Sequence, residues 1–331
     1  MNAKHIAIVG ATGAVGQEML DVLRRRKFPV ASLRLLASRR SAGTKFRFEG
    51  TEITVEELRE DSFGGVQIAL FSAGGGISRQ FAPPAVAAGA VVVDNSSAFR
   101  QDPSVPLVIP EINGEDIKGH RGIIANPNCT IAVSLMALAP LHRAFGLKRV
   151  FAASYQAVSG TGAKAIEELR RQVEATVVGR PIEKHVYPHQ IAFNVLPHID
   201  SFRENGYTGE EVKMQDEARK ILHHPALRLS ATCVRVPVYR AHSIAINAEF
   251  ERTITVAAAR EVLTRAPGLR VVDDPAKNEY PTPLKCAGQD DCEVGRLRLD
   301  CAFENGLALW MSGDQLLKGA ALNAVQIAEL L

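Results

Sequence analysis

The sequence predicts an α/β protein of two parts. The first is a doubly wound domain on a parallel sheet, and the second an α+β domain with a mixed, largely antiparallel sheet. Three observations lead there. Short apolar runs alternate with helical segments through the first 130 residues, a glycine-rich turn separates the first strand from the first helix, and the second half carries hairpin-like β segments. At 331 residues the chain exceeds the size at which a single core usually stops growing, so two domains are expected.

Residues 4–9 read as a short buried strand. Gly10-Ala11-Thr12-Gly13-Ala14-Val15-Gly16 follows at once, and 17–26 then reads as an amphipathic helix with Met19, Leu20 and Leu23 on one face. A glycine turn alone is an ordinary connector. Between a strand and a helix its glycines allow a tight turn and close backbone approach, and the helix start offers N–H groups to a pyrophosphate. The first domain is therefore read as Rossmann-type and dinucleotide-binding, with Gly10, Thr12, Gly13, Ala14, Val15 and Gly16 lining the turn. The second strand, 33–36, leads into Ala37-Ser38-Arg39-Arg40-Ser41 and has no acidic residue to hold a ribose 2′-hydroxyl. Ser38, Arg39 and Ser41 suit a 2′-phosphate, which favours NADP over NAD. Strands at 66–71, 90–93 and 122–125 continue the sheet. Their C-terminal turns, among them Ser72-Ala73-Gly74 and the stretch ending in Arg100, lie where such sheets bind ligands.

Composition excludes several classes. Hydrophobic residues make up 46% and charged residues 23%, with a formal net charge of +3, too small and too scattered for a nucleic-acid footprint. The first residues lack the pattern of a signal peptide, and no apolar run reaches membrane-spanning length. The five cysteines form no tight pairing pattern, and Cys286 and Cys292 stand apart from other ligand types, so neither a disulfide framework nor a metal site is expected. A reducing cytoplasm is the simplest compartment.

The candidate chemistry lies at Asn126-Pro127-Asn128-Cys129-Thr130, followed by an apolar helix expected to end near Pro140. Pro127 and Asn128 are helix-start residues, so Cys129 belongs in a first turn. Unpaired N–H groups and the helix dipole there favour the reactive thiolate. A proton-transfer partner is needed, and nine histidines leave the choice open. His242 falls between two strand-like segments, 229–238 and 243–251.

Eight segments then become specific in their order: GATGAVG, SAGGG, VVDNSSAFR, NPNCT, SYQAVSGTG, FNVLPHIDSFRENGYTGEEVKM, RVPVYRAHS and LLKGAALNAVQIAE. From the first strand to the last helix the chain resembles bacterial aspartate-β-semialdehyde dehydrogenases. That resemblance implies NADP-dependent reductive dephosphorylation of L-aspartyl-β-phosphate to the semialdehyde through a thioester, in lysine, threonine, methionine and diaminopimelate biosynthesis. It makes Cys129 the nucleophile, His242 the acid/base and Gln156 an orienting side chain. It gives Arg235 to the substrate carboxylate, Glu210 to its amine, and Lys213, Arg100 and Asn128 to phosphate. Ser159, Gly160 and Gln315 join the cofactor set, and the second domain's sheet is implied to form a homodimer. The last helix, 316–330, is implied to return to the first domain, so the domains are expected at 1–128 plus 314–331 and at 129–313.

The sequence departs from the family pattern twice. Ala241 stands where glycine commonly precedes the histidine, which matters if that position needs positive φ. Gln315 stands where asparagine is usual, one methylene longer. The rival readings are an N-acetyl-γ-glutamyl-phosphate reductase, a non-catalytic paralogue and a malonyl-CoA-type reductase. The Gln156 and Glu210/Lys213 segments suit the aspartyl enzyme best.

Overall fold

A computed structural model describes residues 2–331 as two compact units, one running to Asn128 and taking up Ala320–Leu331, the other Cys129–Gly319.

In the first unit β1 (Lys4–Val9) leads through the glycine turn into α1 (Ala14–Arg25), which buries Met19, Leu20, Val22 and Leu23. β2 (Val30–Ala37) is followed by a small hairpin, β3 (Lys45–Phe48) and β4 (Thr51–Thr54), and by the short β5 (Glu56–Glu57). β6 (Ile68–Phe71), α2 (Gly75–Ala87), β7 (Val91–Asp94), the single turn α3 (Pro110–Asn113) and β8 (Ile123–Ala125) complete it. The six-stranded sheet has the order β5-β2-β1-β6-β7-β8, and all its pairings are parallel. Covered on both faces, its central strands are apolar without alternation, as in the fully buried Ile68–Phe71.

The second unit opens with α4 (Cys129–Phe145). β9 (Leu147–Gln156), α5 (Ala163–Val177), α6 (Gly209–Ile221), β10 (Arg228–Arg235) and β11 (His242–Phe250) follow. Then come α7 (Val256–Thr264), β12 (Leu269–Val271), the one-turn α8 (Pro283–Cys286), β13 (Cys292–Leu299) and β14 (Gly306–Gly313). Its six-stranded sheet runs β10-β9-β11-β14-β13-β12, parallel at its two edge pairs and antiparallel between. α4 packs on one face of this sheet, so the helix is apolar all round. On the other face Phe151 (51% exposed) stacks on Phe303, and Tyr155 lies against Trp310.

Several expectations need correcting. The helix after Cys129 runs through Pro140 to Phe145, because burial on nearly all sides outweighs the one ladder bond that proline removes. His242 is the first residue of a strand and not a residue between strands. The chain rejoins the first unit at Ala320 rather than at 314, since side-chain bonds of Asp314 and Gln315 to Arg240, Ala241 and Ser159 keep those residues in the second. The last helix is a π turn, Leu317–Ala321, followed by α9 (Leu322–Glu329). Within the first unit α9 is held by Asn323, whose Nδ2 donates to Val108 O (2.9 Å) and Asn126 Oδ1 (2.6 Å). Glu329 accepts two bonds from Arg26 (2.6 and 2.7 Å). Among the described residues no helix is long and apolar enough to cross a membrane.

The glycine turn has a hard steric test. Gly10 has φ +86°, and a Cβ there would stand 2.3 Å from the carbonyl oxygen of Ser72. Both the left-handed backbone and the strand-end contact demand glycine. Gly10→Ala is expected to cost about 3 kcal/mol, the sum of backbone strain and a displaced strand end. Thermal unfolding of the variant against the parent protein reads this as a loss of several degrees.

Candidate active site

The turn in the first unit fits a dinucleotide by its shape. A Cβ on Gly16 would lie 2.3 Å from Gly10 O, so the helix is drawn tightly onto the turn. α1 begins after Gly13 with no side-chain cap, which leaves its first-turn N–H groups and dipole for an anion. Thr12, Ala14 and Val15 are half-buried around it, and Ser72, Ala73 and Gly74 lie on the adjoining strand end. Ser38 and Arg39 are exposed and Ser41 half-buried at the end of β2. The fold also brings Glu57 of β5 beside Ala37, a carboxylate that reading along the chain does not place there, while Glu56 lies 3.6 Å from Arg34. Arg100 is buried at the ends of β7 and β8, donating from Nε to Asn126 O (2.9 Å) and from Nη2 to Asn95 O (2.7 Å). Asn128, also buried, closes this unit.

In the second unit strand register assembles the site. Parallel pairing sets Arg235 opposite Gln156, and antiparallel pairing sets His242 opposite Gly313. Since Ser243 pairs with Tyr155, His242 and Gln156 fall at the same end of neighbouring strands. Gln156 and, 79 and 86 residues further on, Arg235 and His242 thus form one row at the sheet end. Cys129, half-buried as the first residue of α4, has its Sγ 3.5 Å from His242 Nε2. A Cβ on Gly319 would meet the Cys129 Cβ at 2.7 Å, so the turn carrying it also requires glycine.

His242 is fully buried, and its Nδ1 accepts from the Ala157 backbone N–H at 3.0 Å. A neutral ring that accepts at Nδ1 carries its proton on Nε2, and that N–H faces the sulfur. Protonating Nδ1 as well would set two N–H groups against each other. Burial, and then the neighbouring Arg235, hold the imidazole well below its ordinary pKa. The ring is therefore neutral at neutral pH and a donor toward Cys129.

Arg235 is buried and donates from Nη1 to Ala157 O (2.6 Å), while its buried Nε has no hydrogen-bond partner. Gly160 packs against both groups, for a Cβ there would lie 3.1 Å from Arg235 Nη1 and 3.3 Å from His242 Cε1. Gln156 is fixed at both ends of its amide, with Oε1 accepting from Ser154 Oγ (2.8 Å) and Nε2 donating to Glu210 Oε1 (3.1 Å). Glu210 lies in the first turn of α6, whose start is secured by the Thr208/Glu211 capping box. It also accepts from Thr130 Oγ1 (3.5 Å) and Lys213 Nζ (3.4 Å). Lys213 makes a closer bond to Asp200, at 2.7 Å. Burial pushes the Asp200 carboxyl up, but the bond to Lys213, the Ser201 N–H and the charges of Lys213 and Arg203 together outweigh it, and the net shift is downward.

Two other cysteines, Cys233 and Cys286, are buried and differ from Cys129. Burial pushes the Cys233 and Cys286 thiols up to about 12, which keeps them protonated and inert. Ser159 and Gln315 are bonded to each other, and Gln315 Oε1 accepts from the Ala241 N–H at 2.8 Å. Ala241 does have positive φ, +71°, which costs a non-glycine residue about 1–2 kcal/mol. Sequence reasoning overlooked Ala157, Asp200, Ser154 and Gly319. The roles of Ala157, Asp200 and Gly319 come from contacts between distant segments that no local spacing signals, whereas Ser154 reaches Gln156 two residues along the same strand.

An uncapped helix start beyond a glycine turn in one unit, and a helix-start cysteine beside a buried imidazole in the other, fit the class of nicotinamide-dependent dehydrogenases. Residues 5–120 match the family model described as semialdehyde dehydrogenase, NAD binding domain, and residues 138–318 the one described as semialdehyde dehydrogenase, dimerisation domain. The aspartate-semialdehyde dehydrogenase of Aquifex aeolicus is 54% identical over 99% of this chain and 97% of its own, and that of Bacillus subtilis 50% identical over the same shares. A solved aspartate semialdehyde dehydrogenase II complexed with ASA, from Vibrio cholerae, superposes with a TM-score of 0.97 at 45% identity, over 100% of this chain and 98% of that one. The chain belongs to the aspartate-semialdehyde dehydrogenase family.

The neutral imidazole has a consequence for stability. As pH falls through 6.5, the unfolded chain takes up a proton at His242 that the folded chain refuses. The unfolded state then binds more protons, so this residue's contribution is present above pH 6.5 and is lost below it. The fall in melting temperature between pH 7.5 and 5.5 should be smaller in His242→Asn than in the parent protein. An equal fall in both would contradict a buried neutral ring.

Proposed function

We propose that the protein interconverts L-aspartyl-β-phosphate and L-aspartate-β-semialdehyde, with NADP as the nicotinamide cofactor and an acyl thioester on Cys129. The observation that carries this reading is the 3.5 Å approach of Cys129 Sγ to the Nε2 of a buried histidine whose Nδ1 is held by a backbone N–H. A donor N–H beside the sulfur stabilises a thiolate, the form that attacks a carbonyl.

In the reductive direction the thiolate forms a C–S bond to the acyl carbon, and the C–O bond to phosphate breaks. Lys213 receives the leaving phosphate once its ammonium is drawn from Asp200. The phosphate roles of Arg100 and Asn128 rest on the family resemblance. A bound nicotinamide supplies the hydride that reduces the thioester carbonyl. The tetrahedral oxyanion on Cys129 is stabilised by the His242 Nε2–H and collapses to the aldehyde, returning the electron pair to sulfur. No net proton transfer to the ring is required, which suits an imidazole held neutral. The unpartnered, buried Nε of Arg235 fits a substrate carboxylate, and Glu210 fits its amine.

Arg39, with Ser38 and Ser41 at the end of β2, is the group we assign to the 2′-phosphate. The apolar sheet face around Phe151, Tyr155 and Trp310 fits a second copy of the chain, in keeping with the matched dimerisation domain. The cytoplasm is the compartment that suits a thiolate nucleophile.

Purified protein should reduce NADP with aspartate semialdehyde only when phosphate is present, and Cys129→Ala should lose that activity by at least about 10³-fold while still binding NADPH. Preference for N-acetylglutamate semialdehyde would move the assignment to the reductase sharing this chemistry, and near-normal turnover by the variant would sink it. Arg39→Ala is expected to lower kcat/KM for NADP about tenfold or more, with little change for NAD. An equal loss with both cofactors would remove the 2′-phosphate assignment.

A further inference from the structure

Two consecutive residues after β14 grip the two residues before His242. Arg240 Nε donates to the Asp314 carboxylate, and the Ala241 N–H donates to Gln315 Oε1 at 2.8 Å. Both anchors are secured from behind. Asp314 also accepts from the backbone N–H groups of Gly288 (2.6 Å) and Leu316 (2.9 Å), and Gln315 Nε2 donates to Ser159 Oγ. Ala241, Asp314 and Gln315 are all buried.

Ala241 needs such support. Its φ of +71° lies in the left-handed region that alanine avoids, and no water reaches its N–H to replace a lost acceptor. The backbone at 241 also sets the direction in which the chain enters β11, and so where the next side chain stands. An asparagine at 315 would be shorter by one C–C bond, about 1.5 Å, too short to keep the bond without moving the backbone.

We infer that Gln315 is a positioning residue for the reaction: by holding Ala241 in the left-handed conformation it keeps His242 Nε2 aimed at Cys129 Sγ. The inference rests on Cys129 being the nucleophile. It gives the glutamine a role within the second unit, beyond contact with a cofactor. The residues at 241 and 315 are then a matched pair. An alanine preceding the histidine calls for the longer amide, and a glycine there would adopt the same backbone unaided.

The test reads the cysteine directly. Iodoacetamide alkylation at pH 7 is followed peptide by peptide in the full-length protein without substrate, with exposed Cys301 as the internal standard. Gln315→Asn should slow alkylation of Cys129 about tenfold relative to Cys301. Adding Ala241→Gly should restore it to within about twofold of the parent rate, a coupling that independent sites would not show. Circular dichroism melts confirm that each variant is folded. Should the asparagine variant be unstable, Gln315→Met fills the same space without the acceptor and should give the same slowing. A parent-like rate in the folded Gln315 variants would overturn the inference, and so would a slow rate that glycine at 241 fails to restore. A glutamine serving only the cofactor would raise KM for NADPH and leave alkylation unchanged. Because no aldehyde is turned over, a wrong substrate assignment leaves this result standing.

Discussion

The bond from the Ala157 N–H to His242 Nδ1 is the constraint on which the rest of the site depends. It joins the residue just after β9 to the first residue of β11, so it follows from the antiparallel register of these two neighbouring strands. One backbone donor settles the tautomer, excludes the doubly protonated ring and directs the remaining N–H toward Cys129. Slipping that register by one residue would turn Gln156 to the open face and the aromatic Tyr155 into the site. The sheet is thus both scaffold and proton-placing device.

Around that bond the unit uses buried polar groups with defined partners. Gln156 is fixed between Ser154 and Glu210, Glu210 between Gln156 and Lys213, and Arg235 against the Ala157 carbonyl. A network of this kind stays ordered before substrate arrives, which is the condition for electrostatic stabilisation without reorganisation. Two of its members are left ready for charge from outside. Arg235 has a buried nitrogen without a partner, and Lys213 is held by the half-exposed Asp200.

Glycine serves the two units in different ways. In the first, Gly10 and Gly16 bring a strand end, a turn and a helix start within distances no side chain tolerates, and so expose backbone donors. In the second, Gly160 and Gly319 leave room for Arg235, His242 and Cys129. At Ala241, next to His242, a left-handed backbone carries a side chain, and there a buried glutamine takes up the load.

Much was legible along the chain, because periodicity and local motifs report directly on local geometry. The unbroken apolar strands announced a sheet buried on both faces, and the glycine turn between strand and helix announced a nucleotide site. Pro127 and Asn128 placed Cys129 at the start of a helix, where α4 begins. What the sequence by itself determined is therefore the class of each element and the place of Cys129 at a helix start. Only the tertiary structure decided the partners. Strand pairing brings Gln156, Arg235 and His242 together across as many as 86 residues, and β5 sets Glu57 beside the end of β2. Packing around α4 carries it past Pro140, and side-chain bonds to Asp314 and Gln315 move the domain boundary to 320. These depend on register and on buried hydrogen bonds between distant segments, quantities that no short window of residues contains.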